Sequence, residues 1–214
     1  MIALDATDRL LQGVMVSNGT GREKGYVNGP LVDFRVAEVG PDFTLDLDGV
    51  DLLMVPNGCD SIALHKVRGS IRAFLDRGGT LICCDGWVTP WVPGNEWVMD
   101  NQYRTIDVRY TSRSDKQGVL DGVDIDALTF RDGISGWWAC GYIKPAEGAE
   151  TVLEDSWGRA VVVVDDVSTR GTIVMTASGP VGPWGGYADD SPSDLAINRL
   201  YRNFVKVAQD RKRN

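Results

Sequence analysis

The chain has 214 residues, of which 43% are hydrophobic and 24% charged, and a formal net charge of −8 at pH 7. These values are typical of a globular protein with a sizeable core, so we expect one domain spanning residues 1–214. The acidic balance argues against a nucleic-acid partner, because phosphate backbones attract basic proteins. No apolar run reaches the roughly 18 residues of a membrane span. The basic stretch at positions 211–213 is expected to fray in solvent.

Cysteine usage bears on the compartment and on metal binding. The four cysteines are Cys59, Cys83, Cys84 and Cys140. Two of them are adjacent, where a disulfide would be strained, so we expect no disulfide framework and a reducing, cytoplasmic compartment. His65 is the one histidine and no spaced cysteine pair accompanies it, so we expect no zinc site and no cofactor. The N-terminus lacks a basic region followed by an apolar stretch, which argues against a signal peptide.

The first third of the chain predicts a strand–helix–strand unit. Strands are expected at Leu11–Ser17, Asp33–Val39 and Leu52–Val55, the last of them a continuous apolar run typical of a strand buried on both faces. A helix capped by Asp60 or Ser61 should follow and end at Gly78-Gly79. Its apolar stripe is Leu64, Val67, Ile71, Phe74 and Leu75. A fourth strand is expected at Thr80–Cys84, closing a right-handed βαβ unit.

The remainder of the chain is richer in loops and strands. Residues 87–102 are aromatic and proline-rich and indicate an ordered loop or lid, and residues 117–123 indicate turns. Further strands are expected at Arg104–Tyr110, Trp137–Ile143, Thr151–Leu153, Ala160–Val164 and Thr172–Thr176, the last two joined as a hairpin. A closing helix should begin near Ser191-Pro192-Ser193, with the apolar stripe Leu195, Leu200, Phe204 and Val207.

Together these elements predict a three-layer α/β sandwich around a mixed, mostly parallel sheet with a late antiparallel hairpin. Ligands of such sheets bind at the carboxyl ends of the strands. Four loops should meet there, and we call this edge of the sheet the rim. Its segments are residues 17–25, 56–61, 83–87 and 177–187.

The order of several motifs resembles the class I glutamine amidotransferase-like fold, which is flavodoxin-like. The motifs are DGVDLLMVPNG, FLDRGGTLICCDGW, QGVLDGV and GRAVVVVDDVSTRGTIVMTASGP, and the resemblance covers most of residues 45 to 208. It is closer to the ThuA-like and β-galactosidase trimerisation-domain relatives. The amidotransferase elbow Gly-x-Cys-x-Gly corresponds to Ile82-Cys83-Cys84-Asp85-Gly86, in which Ile82 replaces the first glycine.

The resemblance implies a nucleophile position at Cys84, without its usual activating base. In the family a His-x-Glu pair near the C-terminus activates the thiol, and the corresponding region, residues 178–190, contains no histidine. His65 lies on the early helix instead, where we expect a solvated or partly buried residue. In the related PfpI-like branch an acidic residue after the first strand contacts the cysteine, and Glu23 has roughly that position. The resemblance therefore implies a family member that lacks the Cys–His dyad.

Each candidate residue also has a purely structural interpretation. Cys84 is either a nucleophile or a small buried residue at a strand end, and Cys83 should face the core. Cys59 precedes a helix and is either activated by the helix N-terminus or structural. The acid pairs Asp165-Asp166 and Asp189-Asp190 are interpreted as solvated turns rather than as a metal site or an acid/base pair.

Tryptophans are concentrated in the rim loops. The faces of Trp87, Trp91 and Trp184 are predicted to stack on a ring such as a sugar, with Asp85, Asn95, Asp189 and Asp190 as hydrogen-bonding groups. Alternatively, these tryptophans fill the loops or form an oligomer contact. The predicted ligand-binding residues are Asn57, Asp85, Gly86, Trp87, Trp91 and Trp184.

Three functions are compatible with these residues and motifs. The first is a non-amidotransferase that binds a small polar, carbohydrate-like ligand or a protein partner through the Trp-rich rim. The second is a hydrolase or amidotransferase that depends on Cys84, with Glu23 or a partner's residue as the base. The third is a structural domain that forms a homo-oligomer.

Overall fold

The computed structural model describes residues 10–19, 26, 31–100, 102–131, 134–135, 137–182 and 192–213. The strands in these ranges are β1 (Leu11–Ser17), β2 (Val32–Glu38), β3 (Leu52–Val55), β4 (Thr80–Cys83), β5 (Glu96–Met99), β6 (Tyr110–Ser112), β7 (Phe130–Arg131), β8 (Ile134–Ser135), β9 (Gly141–Lys144), β10 (Glu150–Asp155), β11 (Ala160–Asp165) and β12 (Thr172–Thr176). The helices are α1 (Ser61–Lys66), α2 (Arg68–Asp76), α3 (Ile125–Thr129) and α4 (Pro192–Arg213), with one 3-10 turn at Thr105–Asp107.

The main sheet is mixed and confirms the predicted fold class. Its strand order is β2-β1-β3-β4-β12-β11-β10-β6, and β9 and β5 extend from β11. The pairings from β2 through to β12 are parallel, whereas β11, β10, β9, β6 and β5 pair antiparallel. The antiparallel part is therefore larger than the single hairpin that was predicted. A separate two-stranded ribbon joins β7 and β8.

The central strands are buried on both faces, which explains their apolar sequences. Every residue of β3, β4, β11 and β12 is buried. A strand with no exposed side chain must be covered on both sides of the sheet, as in a sandwich of helices and sheet. The continuous runs of Leu, Val and Ile in these strands are therefore the sequence signature of the middle layer.

The predicted early helix is divided into two. Asp60 caps α1, because its Oδ1 accepts hydrogen bonds of 2.9 Å from the backbone N–H groups of Ile62 and Ala63. Val67 has φ −97° and ψ 12°, outside the helical region, and it separates α1 from α2. The chain then turns at Gly78, whose φ of +93° favours glycine.

Three expectations for the second half of the chain are wrong. Arg104–Tyr110 is not a strand: Arg104 pairs with Asp107 in a 3-10 turn, and β6 begins only at Tyr110. The strand expected at Trp137–Ile143 begins later, at Gly141. The aromatic stretch after the elbow is not wholly loop, since it contains β5.

Helix α3 was not predicted; it is only five residues long, too short for a clear helical period.

The C-terminal helix buries one face against the rest of the chain. Leu200, Phe204 and Val207 of its predicted stripe are buried, whereas Leu195 is 57% exposed and does not belong to it. The expected fraying of the basic tail is wrong. Lys212 Nζ lies 2.6 Å from Asp51 Oδ2, and Arg211 donates to a backbone carbonyl. Among the described residues, no helix combines the length and apolar character that a membrane span requires.

Candidate functional site

The rim brings the loops after β3 and β4 into close approach. The backbone N–H of Cys84 donates to the carbonyl oxygen of Val55, at 2.9 Å, so the two strands remain paired at the elbow. Gly58 and Gly86 then turn with φ of +75° and +87°. A Cβ placed on Gly86 would lie 3.8 Å from the backbone nitrogen of Gly58. The two glycine turns therefore face each other across the end of the sheet.

The loop after β12 completes this arrangement. A Cβ placed on Gly179 would lie 2.6 Å from the Cβ of Asn57, so only glycine allows the two segments to meet. Farther along the loop, the hydroxyl of the buried Tyr26 donates to the carbonyl oxygen of Val181. These contacts bring three rim segments together, at Asn57, at Cys84 to Gly86 and at Gly179.

Asn18, just after β1, attaches the first strand to the same edge. Its Nδ2 donates to the carbonyl oxygen of Gly58 at 2.6 Å, and its Oδ1 accepts from the backbone N–H of Asp60 at 3.1 Å. The Asp60 carboxylate is itself engaged as the cap of α1. The turn after β3 is therefore held by the first strand on one side and by the helix cap on the other.

The Cys84 thiol at the elbow is buried and protonated. Its residue is 1% exposed, and burial together with the nearby Asp85 carboxylate raises the pKa of the thiol to about 12, with burial as the larger cause. Hydrogen bonds with the Thr176 side chain and the Val181 backbone oppose this increase and do not cancel it. Cys83 is 0% exposed, and burial raises its pKa well above the ordinary value, as expected for a core residue. The environment of Cys84 favours the structural interpretation.

A buried polar cluster, not anticipated from the sequence, borders the elbow. The Tyr110 hydroxyl donates to the carbonyl oxygen of Trp137 at 3.0 Å and accepts from the backbone N–H of Ala139 at 2.8 Å. The Ser178 hydroxyl donates to the carbonyl oxygen of Trp138 at 2.6 Å. These bonds hold residues 137–139 against the loop after β12. They join residues 27 to 40 positions apart, so no local pattern could have revealed them.

Asp85 affects two thiols of different exposure. It raises the pKa of the buried Cys84 and also that of Cys140, whose thiol is affected first by partial desolvation. Cys140 is exposed, and it follows directly after the segment that Tyr110 and Ser178 hold. The acid at the elbow therefore disfavours ionisation of both thiols, the opposite of what an activated nucleophile requires.

Comparison with solved structures identifies the fold. A glutamine amidotransferase from Thermotoga maritima matches 94% of this chain and 99% of its own, with a TM-score of 0.63 and 11% identity. The chain has a class I glutamine amidotransferase-like fold. A cytoplasmic protein of Salmonella typhimurium LT2 matches 93% of this chain and 100% of its own, with a TM-score of 0.57 and 11% identity.

Other comparisons add little to the amidotransferase-like assignment. A β-galactosidase from Bacillus circulans sp. alkalophilus matches over 31% of its own chain, with 13% identity and a TM-score of 0.47, too low to argue from. No protein family and no curated protein matches the sequence. Identities of 11% establish a common fold and leave the activity open.

The residues considered as a base for the elbow of this amidotransferase-like fold are His65 and Glu23. His65 lies in the last turn of α1, whereas the rim is at the first turn, where Asp60 caps the helix. Glu23 lies outside the described residues, as do Trp184, Asp189 and Asp190. The catalytic role of Glu23 therefore stays a prediction, as does ligand binding by Trp184.

The described rim tryptophans are packed inside. Trp87 is 4% exposed and Trp91 is 3% exposed, so neither ring offers a face for stacking in this conformation. Their indole N–H groups have no hydrogen-bond partner among the described residues. The loop that carries them is attached to α1, because the Thr89 hydroxyl donates to the carbonyl oxygen of Ser61 at 2.6 Å. Burial favours the loop-filling interpretation, and ligand binding by these two residues stays a prediction.

Asp165 and Asn95 are structural partners, away from the rim. Asp165 is 0% exposed, so the expectation of a solvated acid pair is wrong for this residue. Its Oδ2 accepts from Asn95 Nδ2 at 2.6 Å, and its Oδ1 accepts from the backbone N–H groups of Val167 and Ser168, each at 2.9 Å. Within the described ranges, no group of three or more His, Cys, Asp or Glu residues is arranged to hold a metal ion.

Proposed function

We propose that this chain is a non-amidotransferase of the amidotransferase-like fold, which binds a small polar ligand or a protein partner at the rim. The observation that carries this proposal is the state of Cys84, 1% exposed and with a thiol pKa raised to about 12. With that pKa, roughly one thiol in 10⁵ is ionised at neutral pH. The thiolate is the nucleophile, so this environment disfavours catalysis by Cys84.

Among the rim residues that the structure describes, the accessible ones beside Cys84 are polar rather than aromatic. Asn57, Asp85 and Gly86 are each partly exposed, next to the buried Cys84 and Trp87. An amide, a carboxylate and a glycine backbone supply both donors and acceptors, which suits a ligand that bears several hydroxyl groups. The buried indoles then serve as a rigid support beneath the polar groups rather than as the stacking surface.

The test is a titration with a neutral polyol ligand set. Glucose, galactose and glycerol are titrated into the protein, and binding is followed by calorimetry and by chemical shifts of the amide groups. We expect at least one sugar to bind, and Asp85→Asn to weaken it about tenfold, because a hydrogen bond to a charged group contributes about 1.5–3 kcal/mol. Asp166→Asn is the matched control, since Asp166 is exposed at the β11–β12 turn.

The ligand-binding proposal fails if none of these sugars binds, or if Asp85→Asn and Asp166→Asn bind them as tightly as the natural chain does. Failure with every sugar leaves a protein partner as the occupant of the rim. Two apolar side chains favour that form of the proposal, since Ile62 is 65% exposed and Val88 is 67% exposed. They lie on segments joined by the Ser61–Thr89 hydrogen bonds, beside the elbow.

A second candidate is a hydrolase or amidotransferase that depends on Cys84. The feature that favours it is the elbow itself, where Gly86 at φ +87° approaches Gly58 as in a turn built to present a nucleophile. Glu23 or a residue of a partner would then have to act as the base, and the Cys84 thiol would have to become accessible to solvent. A structural domain that forms homo-oligomers is a third candidate, and kinship with the ThuA-like branch likewise stays a prediction.

A further inference from the structure

A pocket of about 320 Å³ opens at the edge of the sheet opposite to the rim. It lies where β3 and β4 begin and α2 ends, and the last described turn of α4 covers it. Asp51, Arg77, Arg211 and Lys212 supply its charged side chains, and we call it the basic pocket. Because parallel strands start at this edge and end at the rim, the basic pocket and the rim are separate places on the fold.

The charge of the basic pocket opposes that of the chain. Three cationic side chains and one carboxylate line it, although the chain as a whole carries a net charge of −8. These cations come from two helix ends that are far apart in sequence, at Arg77 and at Arg211 and Lys212. An excess of positive charge at one concave site raises the local concentration of anions.

The positive charge of Lys212 is compensated by a carboxylate of the protein, whereas the charges of the two arginines are compensated less. The Lys212 ammonium lies 2.6 Å from Asp51 Oδ2. Arg77 lies 3.6 Å from Asp48 Oδ1, but the Asp48 side chain is 94% exposed, so solvent weakens the attraction. Arg211 donates to the backbone carbonyl oxygen of Arg170. Because a carbonyl group carries no net charge, this bond does not compensate the charge of Arg211.

Capping of helix C-termini explains only part of this arrangement. Basic residues are favourable in the last turn of a helix, which accounts for Arg77 at the end of α2 and for Arg211 in α4. Capping explains why each arginine lies at the end of its own helix. It does not explain why both arginines line the same pocket. The shared pocket, rather than the individual residues, points to an anionic ligand.

We propose that the basic pocket binds a phosphate group, free or carried as the monoester of a small molecule. A guanidinium group presents parallel N–H donors that match two oxygens of a phosphate, and the two arginines supply positive charge that the Lys212–Asp51 pair leaves uncompensated. A volume of about 320 Å³ exceeds that of the phosphate group alone and leaves space for a small organic body.

The test titrates inorganic phosphate and glycerol 3-phosphate against the full chain, with chloride at equal ionic strength as the reference. Calorimetry and phosphorus NMR line widths report binding. We expect both probes to bind, and to bind more tightly as pH rises from about 5 to 8, because phosphate gains its second negative charge there while Arg and Lys remain charged. Tighter binding of glycerol 3-phosphate indicates a monoester ligand, and equal or weaker binding indicates free phosphate.

Matched variants locate the site. Arg77→Gln and Arg211→Gln are each expected to weaken binding about tenfold, since a charge-assisted hydrogen bond contributes about 1.5–3 kcal/mol. Arg104→Gln is the control, because its side chain is 80% exposed and pairs with Asp107 elsewhere. Arg211→Gln removes only a contact with a carbonyl oxygen and should leave the fold intact. The absence of binding by the natural chain, or unchanged binding by Arg77→Gln and Arg211→Gln, would overturn the proposal.

Discussion

The rim contains Cys84, a residue type capable of nucleophilic attack. The residue is 1% exposed, and burial keeps its thiol protonated. At the opposite edge of the same sheet, Arg77 and Arg211 line the basic pocket. The residue with catalytic potential is thus withdrawn from solvent, whereas the residues with binding potential are presented to it. Environment, more than residue type, decides which edge can react and which can bind.

The two edges also differ in how their polar groups are satisfied. At the edge opposite to the rim, Asp165 accepts three hydrogen bonds in the turn after β11. At the rim, the indole N–H groups of Trp87 and Trp91 have no partner among the described residues. A fully bonded turn is expected to be a structural anchor, whereas the buried indoles fill the rim loop without hydrogen bonds among the described residues.

The largest effect should come from the anchoring turn. Asp165→Ala is expected to lower the free energy of unfolding by about 3–5 kcal/mol, because it leaves the Asn95 amide and two backbone N–H groups without their acceptor, at about 1–3 kcal/mol for each buried donor. Urea unfolding measures the change. Asp166→Ala is the control, since its side chain is exposed and should matter by about 0.5 kcal/mol or less. Equal effects of the two substitutions would show that the turn is not an anchor.

Cys84→Ala should have an intermediate effect. At neutral pH we expect a loss of about 1–2 kcal/mol, because the substitution removes a buried sulfur atom from a packed site. The exposed Cys140 offers a matched control, and Cys140→Ala should change the free energy of unfolding by about 0.5 kcal/mol or less. A stabilising effect of Cys84→Ala would mean that the thiol is strained in place, as in a functional site.

The pH dependence of that difference tests the buried state directly. The folded pKa of Cys84, about 12, lies above the unfolded value. Above about pH 8.5 the unfolded chain loses the proton first, so the stabilisation is complete below that pH and declines as pH rises, by up to about 1.4 kcal/mol per unit. The advantage of the natural chain over Cys84→Ala should therefore shrink between about pH 8.5 and pH 10. A constant difference would place Cys84 in solvent.

The smallest effect concerns the ion pair that attaches the C-terminal helix. Lys212→Gln is expected to cost about 0.5–1 kcal/mol at low salt, since the pair with Asp51 is partly exposed. The cost should fall in about 1 M salt, where screening acts over about 3 Å. Urea unfolding at two salt concentrations measures it. A cost that does not respond to salt would indicate lost packing rather than lost charge.

Much of the fold could be predicted because burial leaves a simple signature in the middle layer. Leu52–Val55 and Thr172–Thr176 were predicted to the residue, since strands covered on both faces are continuous apolar runs. Arg104–Tyr110 failed because its alternation of polar and apolar residues also arises in a turn closed by the Arg104–Asp107 ion pair. Local patterns cannot distinguish a half-buried strand from such a turn.

The site was less predictable, because its properties arise from contacts distant in sequence. The order of motifs placed Cys84 at an elbow, but the pKa of its thiol depends on burial and on contacts with Asp85, Thr176 and Val181. Likewise, Asp165 and Asn95 are 70 positions apart, and nothing local distinguishes this acid from the exposed Asp166 beside it. Sequence supplied the positions of the candidate residues, and packing determined their chemistry.

Thiol labelling of the native chain tests the buried state of Cys84 most directly. The protein is treated with iodoacetamide at neutral pH, and the labelled peptides are identified by mass spectrometry, with a Cys140→Ser variant to remove the exposed thiol. We predict that Cys140 is modified in the native protein and that Cys84 is modified only when urea unfolds the chain. Rapid labelling of Cys84 in the folded Cys140→Ser variant would contradict a buried, protonated thiol and restore a reactive elbow.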